Sequence, residues 1–89
     1  MDKLRGYKII HEIDKLRYGS YIRWIYKNDN DEKLQKGMVV CDIIIGDEGI
    51  NVKGKTFNNH FITIKIDDCI IFQKMSKQEL IIHKIKNTI

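Results

Sequence analysis

Between Gly37 and Ser76 the chain alternates apolar and polar residues in short runs separated by turn residues, and then changes period. Gly37-Met-Val-Val-Cys-Asp-Ile-Ile-Ile-Gly46 turns through Asp47-Glu48 into Gly49-Ile-Asn-Val-Lys53. Phe61-Ile-Thr-Ile-Lys-Ile66, the acidic pair Asp67-Asp68 and Cys69-Ile-Ile-Phe72 follow. A period of two sends successive side chains to opposite faces of a strand. Asp47-Glu48, Asn58-Asn59 and Asp67-Asp68 are residues that tolerate tight hairpin connections. Ser76-Lys-Gln-Glu79 is then a capping box, in which the Ser hydroxyl and the Glu carboxylate satisfy each other's backbone N–H groups at a helix start. This stretch dictates a curled antiparallel sheet followed by a terminal helix, and by itself specifies no chemistry.

The remaining segments extend that plan. Ser20 to Lys27 alternates, with Ile22, Trp24 and Tyr26 on one face and Tyr21, Arg23, Ile25 and Lys27 on the other. Residues 7–17 place Ile9, Ile13 and Leu16 at helical spacing opposite Lys8, His11, Glu12, Asp14 and Lys15, which predicts a short N-terminal helix. A strand over 7–13 competes, because Ile9 and Ile10 are β-branched. The last segment sets Ile82, Ile85 and Ile89, with Ile81, along one helical stripe, and Lys84 and Lys86 suit its C-terminal dipole. The expected fold is mainly β with flanking helices, in one domain over residues 1–89. Strands are expected over about 20–27, 37–46, 49–56, 60–66 and 69–73, between helices over about 7–17 and 76–88. One long polar connection, Asn28 to Lys36, followed by three short ones is the loop hierarchy of a five-stranded SH3-like small barrel. Gly49 and Gly54 permit the bulge or bend that curls such a sheet.

Leu16-Arg-Tyr-Gly-Ser-Tyr-Ile-Arg-Trp-Ile25, a glycine followed by an alternating first strand, resembles the opening of Tudor-type and Sm-type small barrels. Gly19-Ser-Tyr-Ile-Arg-Trp24 and Ile70-Ile-Phe-Gln-Lys74 are similar to segments of the short barrel proteins of large AT-rich DNA viruses. The absence of proline alongside abundant Ile, Lys, Asn and Asp fits an AT-rich genome, and the resemblance implies a viral protein. The resemblance spans roughly residues 16–74. It implies a binding module for nucleic acid or short peptides, although one fold hosts many functions.

Composition narrows the chemistry further. Net charge is +4, but residues 17–74 hold nine Lys/Arg against eight Asp/Glu, so the body is nearly neutral and admits an anionic partner without demanding one. No run of 18 apolar residues and no signal-peptide pattern occurs, which predicts an intracellular protein, cytoplasmic or nuclear, with no membrane partner. Cys41 and Cys69 each lie within a strand pattern and are expected as small buried hydrophobes, reduced and metal-free. His11, His60 and His83 lie in separate elements, and no two of these Cys and His residues have the close spacing of a zinc site. Asp29-Asn-Asp-Glu32 opens like a calcium loop, but Lys33 and Leu34 stand where a ligand and the glycine belong. Gly46-Asp-Glu-Gly49 puts carboxylates where a phosphate needs amides. No catalytic residue, cofactor or small-molecule substrate is expected.

Two surfaces remain as binding candidates. Alternation collects Tyr21, Arg23, Lys27, Lys53, Lys55, Phe61 and Lys65 on the sheet exterior, cations interleaved with rings, as suits DNA or RNA. A soluble sheet exterior is polar in any case, and lysine also discourages edge-to-edge pairing. The alternative is a protein-interaction barrel, an adaptor or a homo-oligomer. In Tudor-type barrels aromatic residues cage a methylated cation, and Tyr18, Tyr21, Trp24 and Tyr26 are the alternative candidate rings here, although no specific cage motif is matched. The shared face of Ile22, Trp24 and Tyr26 favours core packing instead.

Overall fold

The alternating runs form strands within a residue or two of their expected bounds. The computed structural model describes residues 4–88, with side chains to residue 85. Among the described residues the strands are β1 (Tyr7–Ile10), β2 (Tyr21–Tyr26), β3 (Met38–Gly46), β4 (Gly49–Lys55), β5 (Phe61–Lys65) and β6 (Cys69–Lys74), followed by helix α1 (Lys77–Thr88). All six join one antiparallel sheet in the order β1-β6-β2-β3-β4-β5.

Two expectations are corrected. The first is the N-terminal helix over 7–17, which the structure replaces with β1 and a single 3-10 turn at Ile13–Lys15. Helix nucleation in so short a segment is costly, whereas the edge of β6 offers a complete ladder. Tyr7, Lys8, Ile9 and Ile10 pair with Lys74, Gln73, Phe72 and Ile71. The competing strand reading of Ile9 and Ile10 is the one the fold adopts. The second correction is the five-stranded barrel: the sheet has six strands and stays open, with β1 and β5 as unjoined edges. After β5 a 3-10 turn at Ile66–Asp68 carries the chain away, and β6 enters between β1 and β2 instead of pairing with β5.

The sheet nevertheless curls around one core. Ile22 and Trp24 of β2, Met38 and Val40 of β3, Val52 of β4, Ile64 of β5, and Cys69 and Ile71 of β6 are buried in a single cluster with Leu16. A register shift between Val40 and Asp42 bends β3. It also turns Asp42 to the outer face and sets Ile43 opposite core residue Val52. Gly54 makes the bend fit, because a Cβ there would lie 2.7 Å from the Val39 carbonyl and overlap Met38.

Gln73 is the buried polar residue of this core, with no exposed surface. Its Oε1 accepts from the Arg17 N–H at 2.9 Å and the Ser20 hydroxyl at 2.7 Å, and its Nε2 donates to the Lys15 carbonyl at 3.0 Å. These bonds lash the segment between β1 and β2 to β6. At α1 the capping box forms as the sequence requires: the Glu79 N–H donates to Ser76 Oγ and the Ser76 N–H to Glu79 Oε1. Glu79 also pairs with Lys8 of β1, and with Arg17 at 2.9 Å, so one carboxylate both starts the helix and fastens it to the sheet. None of the described helices is long and apolar enough to cross a membrane.

Gln73→Leu keeps the volume but strands the Arg17 N–H and the Lys15 carbonyl. It is expected to lower stability by roughly 2–4 kcal/mol in urea unfolding, since each unsatisfied buried group costs about 1–3 kcal/mol. An unchanged midpoint would mean that the amide network does not hold these segments. The Lys8 contact, then the Ser76 N–H and the Arg17 charge, outweigh burial and lower the Glu79 carboxyl from the ordinary 4.5 to about 2. A depressed folded pKa means that stabilisation is complete above the unfolded value and is lost as pH falls through the folded one. Docking of α1 is therefore expected to weaken between about pH 4.5 and 2, read from the Glu79 amide signal, and in Glu79→Gln this pH dependence disappears.

Candidate nucleic-acid interface

On β4 the outward positions are Asn51, Lys53 and Lys55, and β5 sets Lys65, Thr63 and Phe61 opposite them in that order. The β4–β5 face therefore brings together Lys53, Lys55, Lys65 and Phe61, as alternation requires. Lys53 Nζ reaches diagonally over the Phe61 ring, 4.9 Å from its centroid, within cation–π range. Phe61 is nevertheless 59% exposed. Glu79 pairs with Lys8 and Arg17, whereas none of these three lysines is within ion-pair distance of a carboxylate among the described residues, although the Asp67 carboxylate and the Lys65 side chain both lie beside Gly49. Asp42 is the nearest acid in register, directly across from Lys53 on β3, and its Oδ1 accepts from the Ile43 N–H at 2.9 Å.

Tyr21 and Arg23 also face outward, but two strands away on β2. A lateral row of paired positions runs Tyr21, Val39, Lys55, Phe61 across β2, β3, β4 and β5. Both β2 side chains are held by the polar connection: Arg23 Nε donates to the Gln35 carbonyl at 2.8 Å and the Tyr21 hydroxyl to the Lys36 carbonyl at 2.8 Å. Arg23 is thus committed to the protein and separated from the lysine face by β3. On its other side Tyr7 lies close; burial, then Tyr21, push its hydroxyl pKa up while the Arg23 charge opposes them. Lys27 stands in the turn after β2, where its N–H donates to the Asp68 carbonyl.

The four rings of the alternative aromatic cage are not brought to one face. Trp24 and Tyr26 lie on the inner face, ring to ring at 6.5 Å and 87°, while Tyr21 faces outward and Tyr18 projects from a turn. Cys41, expected buried, is exposed: the register shift of β3 leaves it without a partner across the ladder. Cys69 is buried as expected, and burial, then the Asp68 charge, push its thiol up to about 11. Among the described residues no three His, Cys, Asp or Glu side chains gather as metal ligands.

Sequence reasoning missed a groove beside this face. The polar connection between β2 and β3 begins as a turn organised by Asp29, whose carboxylate accepts from the Asp31 and Lys33 N–H groups. It then runs back along β2, and the Gln35 N–H donates to the Trp24 carbonyl at 2.8 Å. Gly37 ends it at φ +110°, with no room for a Cβ against the Tyr21 ring and the Ile22 carbonyl. Opposite, the Thr56 hydroxyl and carbonyl and the His60 carbonyl close the β4–β5 turn and leave Phe57 91% exposed at its tip. The space between is a groove of about 690 Å³ over Trp24. The one sequence signal for it is Phe57, an aromatic placed inside a turn whose other residues are polar. Comparison with protein families, curated proteins and solved structures finds no match to this chain.

Burial separates the two thiols. In the native protein a maleimide is expected to label one cysteine, Cys41, and to reach Cys69 only on unfolding, as counted by intact mass. Two rapid labels under native conditions would contradict the buried position of Cys69.

Proposed function

We propose that this protein is a non-catalytic module that binds single-stranded nucleic acid on the outer face of β4 and β5. The observation that carries this reading is the grouping of Lys53, Lys55 and Lys65, none paired with a carboxylate, around an exposed Phe61 on an edge strand. Cations spaced along neighbouring strands track phosphates. An exposed ring beside a lysine offers a base a stacking surface, at about 1–3 kcal/mol per base. A single strand can reach such a surface because β5 has no strand beyond it. The reading goes with a cytoplasmic or nuclear setting and a viral source.

A second reading rests on α1. Ile81 and Ile82 are more than half exposed on a helix whose first turn is fastened to the sheet through Glu79, as suits an apolar contact with a protein partner or another copy of the chain. Ile89, the end of the expected stripe, lies outside the described residues.

Titration with single- and double-stranded DNA and RNA at two salt concentrations tests the first reading. Binding is expected to prefer single strands and to weaken as salt rises. Lys53→Glu with Lys55→Glu is expected to abolish it while leaving the fold intact, and single Lys→Ala changes to shallow the salt slope by about one unit each. A wild-type protein that binds none of these even at low salt sinks the reading. Self-association lost on Ile82→Glu would then favour the second.

A further inference from the structure

We infer that the groove over Trp24 is a base pocket, which takes one nucleotide unit of the strand bound on the β4–β5 face; this rests on the function proposed above. Phe61 belongs to both surfaces, so the groove continues the lysine face around the edge of the sheet. Its lining defines the ligand's chemistry. Trp24 and Ile62 come from the inner face of the sheet, and Leu34 and Phe57 from the two connections beside it. This is an apolar slot with exposed rings, suited to a flat heteroaromatic group. Lys33 and Lys36 supply cations, and among the described residues no aspartate or glutamate lines the groove. A planar ring that carries an anion matches both features. The groove's volume is within the ordinary range for small-ligand sites, about 300–1,000 Å³.

An independent observation points the same way. The Trp24 indole is 2% exposed, and its Nε1–H is buried without a hydrogen-bond partner among the described residues. A buried donor left unpaired is a standing cost to the free protein. Nucleobases carry ring nitrogens and carbonyl oxygens around their edges, and such an acceptor removes that cost once entry of the base shifts the lining enough to uncover the indole N–H. An apolar side chain from a peptide would leave it in place. Phe57, at the exposed tip of the β4–β5 turn, is positioned to close over a base once one enters.

Trp24 is the only tryptophan, so its indole N–H gives one signal in a nitrogen-edited NMR spectrum. The signal is followed during titration with AMP, UMP, ribose 5-phosphate, inorganic phosphate and a short single-stranded RNA. The expected result is a saturable shift with AMP or UMP and with the RNA, and none with phosphate or ribose 5-phosphate. Phe57→Ala, a change at an exposed position, is expected to weaken mononucleotide binding about tenfold, the scale of one lost stacking contact. Lys53→Glu with Lys55→Glu is expected to abolish RNA binding and spare the AMP or UMP shift. RNA binding with an unmoved indole would overturn the pocket and leave the proposed function standing. An equal shift with inorganic phosphate would reduce the groove to an anion site and overturn the base assignment. Failure of mononucleotides and of single-stranded RNA and DNA alike to bind would overturn pocket and function together.

Discussion

Gln73 sits fully buried in β6 between two strands whose connection it must satisfy. Its amide accepts from Arg17 and Ser20 and donates to Lys15, so the chain between β1 and β2 is fixed against a strand more than fifty residues away. In the core an unsatisfied amide would be costly, and a satisfied one specifies a single register. With β6 fixed between β1 and β2, the first and last strands pair directly. Lys8 of β1 and Arg17 then converge on Glu79 at the start of α1. The position of β6 also leaves β5 as a free edge, since the strand that follows β5 in sequence is already paired on both sides.

The groove originates at β2. β2 pairs with β3 only at Tyr21 and Ile22. Beyond those residues the backbone of β2 turns to the polar connection for partners, and the Gln35 N–H takes the Trp24 carbonyl. A connection bonded along β2 stands off from the β4–β5 turn and leaves space between them, with Trp24 as its floor. The same connection holds Arg23 and Tyr21 through the Gln35 and Lys36 carbonyls. One polar segment therefore removes Arg23 from the charged face and builds one wall of the groove.

Strand positions were legible in the sequence because side-chain alternation is a local signal, and the outward facing of Lys53, Lys55, Phe61 and Lys65 follows from it directly. The features that escaped were set by distant pairings. Residues 7–17 carry both a helical and a strand pattern, and the open side of β6 decides between them. Closure into a barrel depends on a hydrogen-bonded seam between β1 and β5, which no local period encodes. Cys41 and Asp42 follow the register shift of β3, where alternation itself breaks. Arg23 does face outward, yet its guanidinium is taken by a loop carbonyl that alternation cannot foresee. The groove joins the connection before β3 to the turn before β5, and only Phe57 hints at it from within a single segment.

The lysines of the β4–β5 face admit two explanations that require different neighbours. A free edge strand invites pairing with other chains, and lysine at such an edge is a common guard. A guard needs charge alone, and it is best served when the residues around it are polar as well. Phe61 fails that requirement: it heads the edge strand, keeps more than half its surface exposed, and lies beneath Lys53. Phe57, at the tip of the turn that leads into the same strand, is more exposed still. Two uncovered rings at an edge add apolar surface where protection against aggregation would remove it. Phosphate tracking with base stacking needs both the cations and the rings, so the aromatic residues, more than the charges, favour a ligand surface over a solubility device.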